Sequence, residues 1–364
     1  MDKLDIARCR MWNLGLHGNG AEAPQEIVSR LGAVQSQDYG PAKWSVGQRT
    51  AGGTDARLER VFADGDILRT HVLRPTWHFV APADIRWMLE LTAPRVHAQS
   101  AYLYRRLELD DALLSRCRGL LGDALRGGNQ LTRKELAAVL AAGGITADGL
   151  RLAYILMVAE LDGVVCSGAP RGKQHTYAML EERAPDAGEL SREEALEELA
   201  LRYFTSHGPA TAKDLRAWAS LTAADVRQAL EMMGPRLACE VVDGLRYWFA
   251  PQPPPPQAPA PTVHLLQAYD EYIMGYRESK SVLDIAGVTR SLPPARTVFN
   301  HIVILDGQVA GHWKRTVTTR SVKIEAALYR PLTDVEHEAL RAAAARHGRF
   351  LEVEASVTTS PIRA

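Results

Sequence analysis

The stretch Ile67-Leu68-Arg69-Thr70-His71-Val72-Leu73-Arg74-Pro75-Thr76-Trp77-His78-Phe79-Val80 decides how the rest of the chain is read. It is rich in β-branched and aromatic residues and reads as strand, turn, strand. Upstream, residues 1–50 read as helices with a break at Gly18-Asn19-Gly20, and Arg57 to Phe62 as a short helix ending near Gly65. Helices followed by a β-hairpin are the outline of a winged helix, a helix-turn-helix variant. Asp84 is then expected to cap a helix running through Trp87 and Leu91.

Working outward, the same outline recurs twice. Thr132 and Glu135 stand at capping-box spacing before an apolar run, a helix follows over Leu152–Leu161, and Gly163 to Tyr177 reads as a hairpin with Arg171 and Lys173 at its tip. Further on, Thr211 leads into a helix at Ala212–Trp218, and Thr222 caps Ala223–Met232. Ala238–Val242 then pairs with Leu245–Phe249 across Asp243-Gly244, a good hairpin turn. The expected class is α+β, with the units at 1–118, 119–190 and 191–250. Seven prolines in the eleven residues Pro251 to Pro261 mark a stiff linker, 251–262. Beyond it, 263–364 reads as a small β-rich domain, a partly closed barrel. Its strands are expected around Val298–Leu305, Gln308–Thr316 and Ser321–Ala327, followed by a helix at Thr333–Arg346 and a last strand at Phe350–Val357.

Composition narrows the function classes. Lys+Arg and Asp+Glu balance at 43 each, so any nucleic-acid binding needs positive charge segregated onto one face. The four cysteines are scattered without a CxxC pair, which argues against structural zinc, an iron–sulfur cluster or a disulfide framework and fits a reducing cytoplasm. No signal peptide or membrane-spanning run is visible. P-loop, GxGxxG, GxSxG and HExxH signatures are absent, and no cofactor is expected.

Few groups invite chemistry. Gln35 and Gln37 stand two apart just before Asp38-Tyr39-Gly40-Pro41, a sequence expected to end any helix in a turn. On a helix they would point apart; in an extended or turn segment they can face one reactant together. From the spacing alone, solvated residues at a helix end is the simpler reading. His71 and His78 lack a nearby third ligand, so no metal site is expected. Asp270-Glu271 is a carboxylate pair that on a strand would face opposite sides. Arg69, Arg74, Arg171, Lys173, Lys280, Arg290, Lys314 and Arg315 fall in expected hairpins and loops where they could meet phosphates, although each taken singly is a solvated charge. Trp44 and Trp77 read as core residues rather than stacking platforms.

Four segments together carry a resemblance: RLGAVQSQDYGPAKWSVGQRT (30–50), ILRTHVLRPTWHFVAPADIRWML (67–89), YDEYIMGYRESKSVL (269–283) and VILDGQVAGHWKRT (303–316). They resemble the winged-helix family of bacterial DNA glycosylases typified by AlkZ and YcaQ, over nearly the whole chain. The resemblance implies tandem winged helices in a C shape plus a C-terminal β-barrel. It implies a monofunctional glycosylase that acts on double-stranded DNA and excises alkylated purines. Bulky adducts and interstrand crosslinks made by DNA-alkylating natural products are included, so the role is DNA repair and antibiotic self-resistance. Gln35 and Gln37 match the Gln-x-Gln motif of one branch, with Ser36 replacing a usually apolar middle residue and Asp38 a possible auxiliary base. A cytoplasmic, nucleoid-associated monomer is expected.

Elementary chemistry agrees with that assignment. An N7- or N3-alkylated purine is already cationic, so its glycosidic bond breaks with little need of an acid, and water must be held beside the anomeric carbon. A neutral amide can orient that water. The competing reading is a non-catalytic winged-helix regulator, which would prefer a defined DNA sequence and bind as a symmetric dimer.

Overall fold

The computed structural model describes residues 1–18, 20–253, 256, 260–289 and 301–362. Within them one order of elements occurs three times: helix, short strand, helix, helix, hairpin. In the first unit it is Pro24–Leu31, Val34–Gln35, Tyr39–Gly47, Asp55–Asp64 and the hairpin Leu68–His71/Trp77–Val80. In the second it is Asp111–Leu125, Leu131–Thr132, Arg133–Ala142, Gly149–Leu161 and Val165–Ser167/Thr176–Met179. In the third it is Arg192–Ser206, a bridge at Ala210, Ala212–Trp218, Ala223–Met233 and Ala238–Val242/Leu245–Phe249. In each unit the short strand lies antiparallel to the second hairpin strand, as Gln35 opposite His78, Thr132 opposite Thr176 and Ala210 opposite Trp248.

Local chemistry explains the boundaries. Pro24 opens its helix at a position that needs no N–H, and Gly32, at φ 78°, ends it. The Thr132/Glu135, Thr211/Asp214 and Thr222/Asp225 capping boxes are all formed. Asp-Tyr-Gly-Pro does not end a helix as expected. A new helix starts at Tyr39, and Pro41 fits its first turn, where N–H groups have no intrahelical acceptor. Asp84 also departs from expectation. It precedes Ile85–Arg106 but makes no side-chain cap bond; its carboxylate instead accepts from Trp87 Nε1 at 3.2 Å and pairs with Arg202.

The second unit closes its own core, from Leu109 through Leu121, Leu136 and Leu156 to Met179. Asp111–Leu125 feeds that core, so the helix runs across the boundary expected at 118/119. The first unit, the third unit and residues beyond the proline-rich linker share the other large core, which also takes in Met157, Leu161, Cys166, Leu180 and Ala184 of the second unit. Trp44, 1 % exposed, donates from Nε1 to Leu265 O at 2.6 Å and packs its ring 5.1 Å from that of Phe350. Arg49 grips Asp270 through two bonds of 2.7 and 2.8 Å, both side chains fully buried.

The C-terminal region is β-rich, as expected, and its strands join in one sheet. Among the described residues it is a five-stranded sheet in linear order, Glu354–Pro361, Ser321–Leu328, Gln308–Val317, Ile302–Leu305 and Val263–Leu266, the first of these parallel to its neighbour. The strand at Val263–Leu266 was not foreseen. Nor does Phe350 begin a strand: Leu340, Ala343, Ala344, His347 and Phe350 continue one buried helical stripe, so Asp334–Leu351 stays helical and the strand starts at Glu354.

Candidate active site

A cleft of about 840 Å³ opens between the first and second units. Equivalent elements of the two repeats form its walls. Gln37, Asp38 and Tyr39 line it from the strand-to-helix segment of the first unit, and Thr132, Arg133 and Lys134 from the same segment of the second. Trp77 faces it from one hairpin, with Gln174, His175 and Tyr177 from the other.

Three residues, Ser36-Gln37-Asp38, separate the strand from the helix in the first unit, against none in the second and one, Thr211, in the third. Ser36 N donates to Trp77 O at 2.7 Å, continuing the ladder for one step. The Ser36 carbonyl is taken by the Arg69 guanidinium at 3.1 and 3.2 Å. Trp77 N–H therefore turns to the side-chain carbonyl of Gln37, at 3.3 Å. Arg69 lies 4.4 Å from the Trp77 ring centre, a cation–π contact on the cleft wall. Trp77 is thus half-buried and cleft-lining, where a core position was expected; Trp44 is core as read.

Gln35 sits behind this wall, 3 % exposed and outside the cleft lining. Its backbone N–H donates to Glu271 Oε1 at 2.9 Å and its side-chain carbonyl accepts from Arg74 at 2.9 Å. A guanidinium only donates, so the amide end facing Arg74 is the oxygen. Arg74 also donates to Trp218 O at 3.0 Å and meets His78 Nε2 at 3.2 Å. His78 directs Nδ1 at Thr76 O, 2.9 Å away, which leaves Nε2 as the acceptor. Burial, aided by the Arg74 charge, lowers His78 to about 3, so it is neutral. Burial alone would raise the Glu271 carboxyl, but His207, Arg74 and the Gln35 N–H outweigh it and bring it down to about 2. His71 pairs with Glu160 of the second unit, which also accepts from Trp77 Nε1 at 3.3 Å. No group of three or more potential metal ligands occurs among the described residues.

The basic residues singled out in the sequence divide. Arg69 is on the cleft, and Arg171 and Lys173 are exposed on the loop beside it, Arg171 paired with Glu135 at 2.8 Å. Arg315 interacts electrostatically with Asp38 but bonds to His347 at 2.9 Å. Arg74 is half-buried, its guanidinium engaged with Gln35, the Trp218 carbonyl and His78. Lys280 lies half-buried in a short 3-10 turn, and Lys314 is exposed on its strand; neither lines the cleft. Arg290 lies outside the described residues. The sequence reading did not single out Arg133, Lys134, His175 and Tyr177 on the opposite wall. Recognising that the Thr132 segment repeats the Gln35 segment would have found the first two.

Residues 28–350 match the family described as DNA glycosylase AlkZ-like. This chain belongs to that family. It is accordingly a DNA glycosylase, and DNA is its substrate. An AlkZ-like relative, the interstrand DNA cross-link repair glycosylase of Streptomyces sahachiroi, is 26% identical over 325 residues, covering 84% of this chain and 85% of the relative. The solved structure of Streptomyces sahachiroi DNA glycosylase AlkZ superposes over 100% of both chains with a TM-score of 0.82 at 22% identity. At that identity the likeness speaks for the AlkZ-like fold. No helix among the described residues is long and apolar enough to cross a membrane.

Proposed function

We propose that this glycosylase hydrolyses the N-glycosidic bond of cationic N7- or N3-alkylated purines in duplex DNA at the cleft between its first two units. Gln35 and Gln37 are its catalytic pair. The observation that carries this reading is the three-residue segment that puts Gln37 and Asp38 on the cleft wall with Gln35 directly behind. Each glutamine carbonyl already accepts one protein hydrogen bond and keeps a second lone pair for a water hydrogen. Fixing that water geometrically supplies rate without a strong base. Asp38, exposed beside them, favours the positive charge that develops on the sugar.

Each helix–strand–helix–helix–hairpin unit is read as a winged helix, the three forming a C around DNA, with 251–262 as linker and 263–364 as the supporting domain. Arg69, Arg133, Lys134 and Lys173 supply charge for the phosphates. We extend its substrates to interstrand crosslinks, which the name of the Streptomyces relative supports, and further assign it to DNA repair and self-resistance as a cytoplasmic monomer.

The test is single-turnover base release from a duplex carrying one N7-methylguanine, followed by alkali cleavage of the abasic site. The double variant Gln35→Ala, Gln37→Ala should be slower by roughly 10²–10⁴-fold. Release at the wild-type rate would overturn the assignment of the pair.

A further inference from the structure

Gln35 is held at two points by a closed ring of hydrogen bonds drawn from three parts of the chain. Its backbone N–H donates to Glu271 Oε1 at 2.9 Å. The other oxygen of Glu271 accepts from Trp218 Nε1 at 2.9 Å. The backbone carbonyl of Trp218 accepts from Arg74 at 3.0 Å, and Arg74 returns to the Gln35 side-chain carbonyl at 2.9 Å. Gln35 and Arg74 belong to the first unit, Trp218 to the third, and Glu271 to the region beyond the proline-rich linker. Gln35, Trp218 and Glu271 are at most 3 % exposed.

From this geometry we infer that Arg74 and Glu271 are positioning residues for base release, acting together with Trp218 as a clamp that fixes where the Gln35 amide points. The inference rests on the reading of Gln35 as catalytic. Without the ring, a glutamine on a two-residue strand has several rotamers open to it. With the ring, the carbonyl is committed to Arg74 and the strand cannot slide along the hairpin. A water-positioning group needs such restraint, because small displacements are costly in rate. The clamp also gives the third unit and the C-terminal region, neither of which lines the cleft, a part in the chemistry. His207, stacked on Tyr203 and 3.3 Å from Glu271, and His78, against Arg74, back the two charged members from outside the ring.

Two conservative variants test the clamp. Glu271→Gln keeps the shape but presents an amide where a carboxylate accepted from two sides. Arg74→Lys keeps the charge but loses the planar fork. On the N7-methylguanine duplex each should slow single-turnover release by about ten- to a hundredfold while leaving affinity for the undamaged duplex within about twofold. The deciding arm repeats both substitutions in a Gln35→Ala background. A residue that acts through Gln35 costs nothing further there, whereas a general folding defect lowers the rate in both backgrounds alike. Loss in the wild-type background with none in Gln35→Ala supports the clamp. Equal losses in both backgrounds, or no loss in either, overturn it. If Gln35→Ala itself releases the base at the wild-type rate, the catalytic reading of Gln35 fails, and that outcome is distinct from failure of the clamp alone.

Discussion

The strand-to-helix segment of the first unit and its counterpart in the second occupy the same place in the fold and face each other across the cleft. In the second unit the chain passes from strand straight into helix. Thr132 ends the strand and caps the helix, donating its N–H to Glu135 at 2.7 Å while its hydroxyl accepts from Glu135 N at 3.3 Å. In the first unit three more residues intervene, and Asp38, at the cap position, makes no side-chain cap bond. One segment satisfies its own helix, and the other leaves a carboxylate and an amide turned toward the cleft. A locally less stable solution at one copy of a repeat is what a functional site looks like when its neighbours show the unperturbed version.

The contrast extends to the two cores, and acid should separate them. The large core encloses His78 and His347, each lowered by burial to about 3, whereas His175, the one histidine between Asp111 and Leu190, is exposed. An unfolded histidine titrates near 6.5. Between that value and about 3 the unfolded chain binds the extra protons, so the stability these groups contribute is complete above 6.5 and falls with decreasing pH. At pH 4.5 the loss is on the order of 2–3 kcal/mol for each. Hydrogen exchange at pH 7 and pH 4.5 should show protection falling in Tyr39–Gly47 and Asp334–Leu351 well before Asp111–Leu125, whose buried side chains lie in the second unit's core. Simultaneous loss in both regions would mean that the two cores are one cooperative body.

A smaller effect tests the caps directly. Thr132→Ala removes a formed capping box and should lower stability by about 1 kcal/mol in urea titrations. Asp38→Ala removes no cap bond and should cost no more than a few tenths of that, while its effect falls on base release. Equal losses of stability would mean that Asp38 caps its helix in solution, and the contrast between the two segments would fail.

Much of this was legible in the sequence. Capping boxes at Thr132, Thr211 and Thr222 and the Asp243-Gly244 turn are local signals, so the second and third units could be laid out from short-range chemistry. The hairpin at 67–80 was equally plain. What escaped was long-range. Nothing near Glu271 announces that its carboxylate meets Gln35, 236 residues away. Nothing near Arg74 says that its guanidinium meets the Trp218 carbonyl, 144 residues away. The strand at Val263–Leu266 follows a proline-rich stretch and is defined by its partner Ile302–Leu305, so its own four residues carry little pattern. Phe350 looked like strand because its type suits one, whereas its place in the stripe from Leu340 makes it helical.

The smallest effect concerns the far wall. Where the first unit offers Gln37 and Asp38, the second offers Arg133 and Lys134, exposed in the first turn of their helix. Basic residues there gain nothing from the helix dipole, which favours anions at that end. A bound phosphate would answer both the charges and the dipole. Arg171 nearby is already neutralised by Glu135, so Lys134 is the sharper probe. Lys134→Ala should weaken duplex binding modestly and uniformly across sequences. It should also lower the slope of log affinity against log salt by about one, with Arg171→Ala changing it less. An unchanged slope for Lys134→Ala would show that only the glutamine wall meets DNA. The facing repeat would then be a scaffold for the cleft rather than half of the grip.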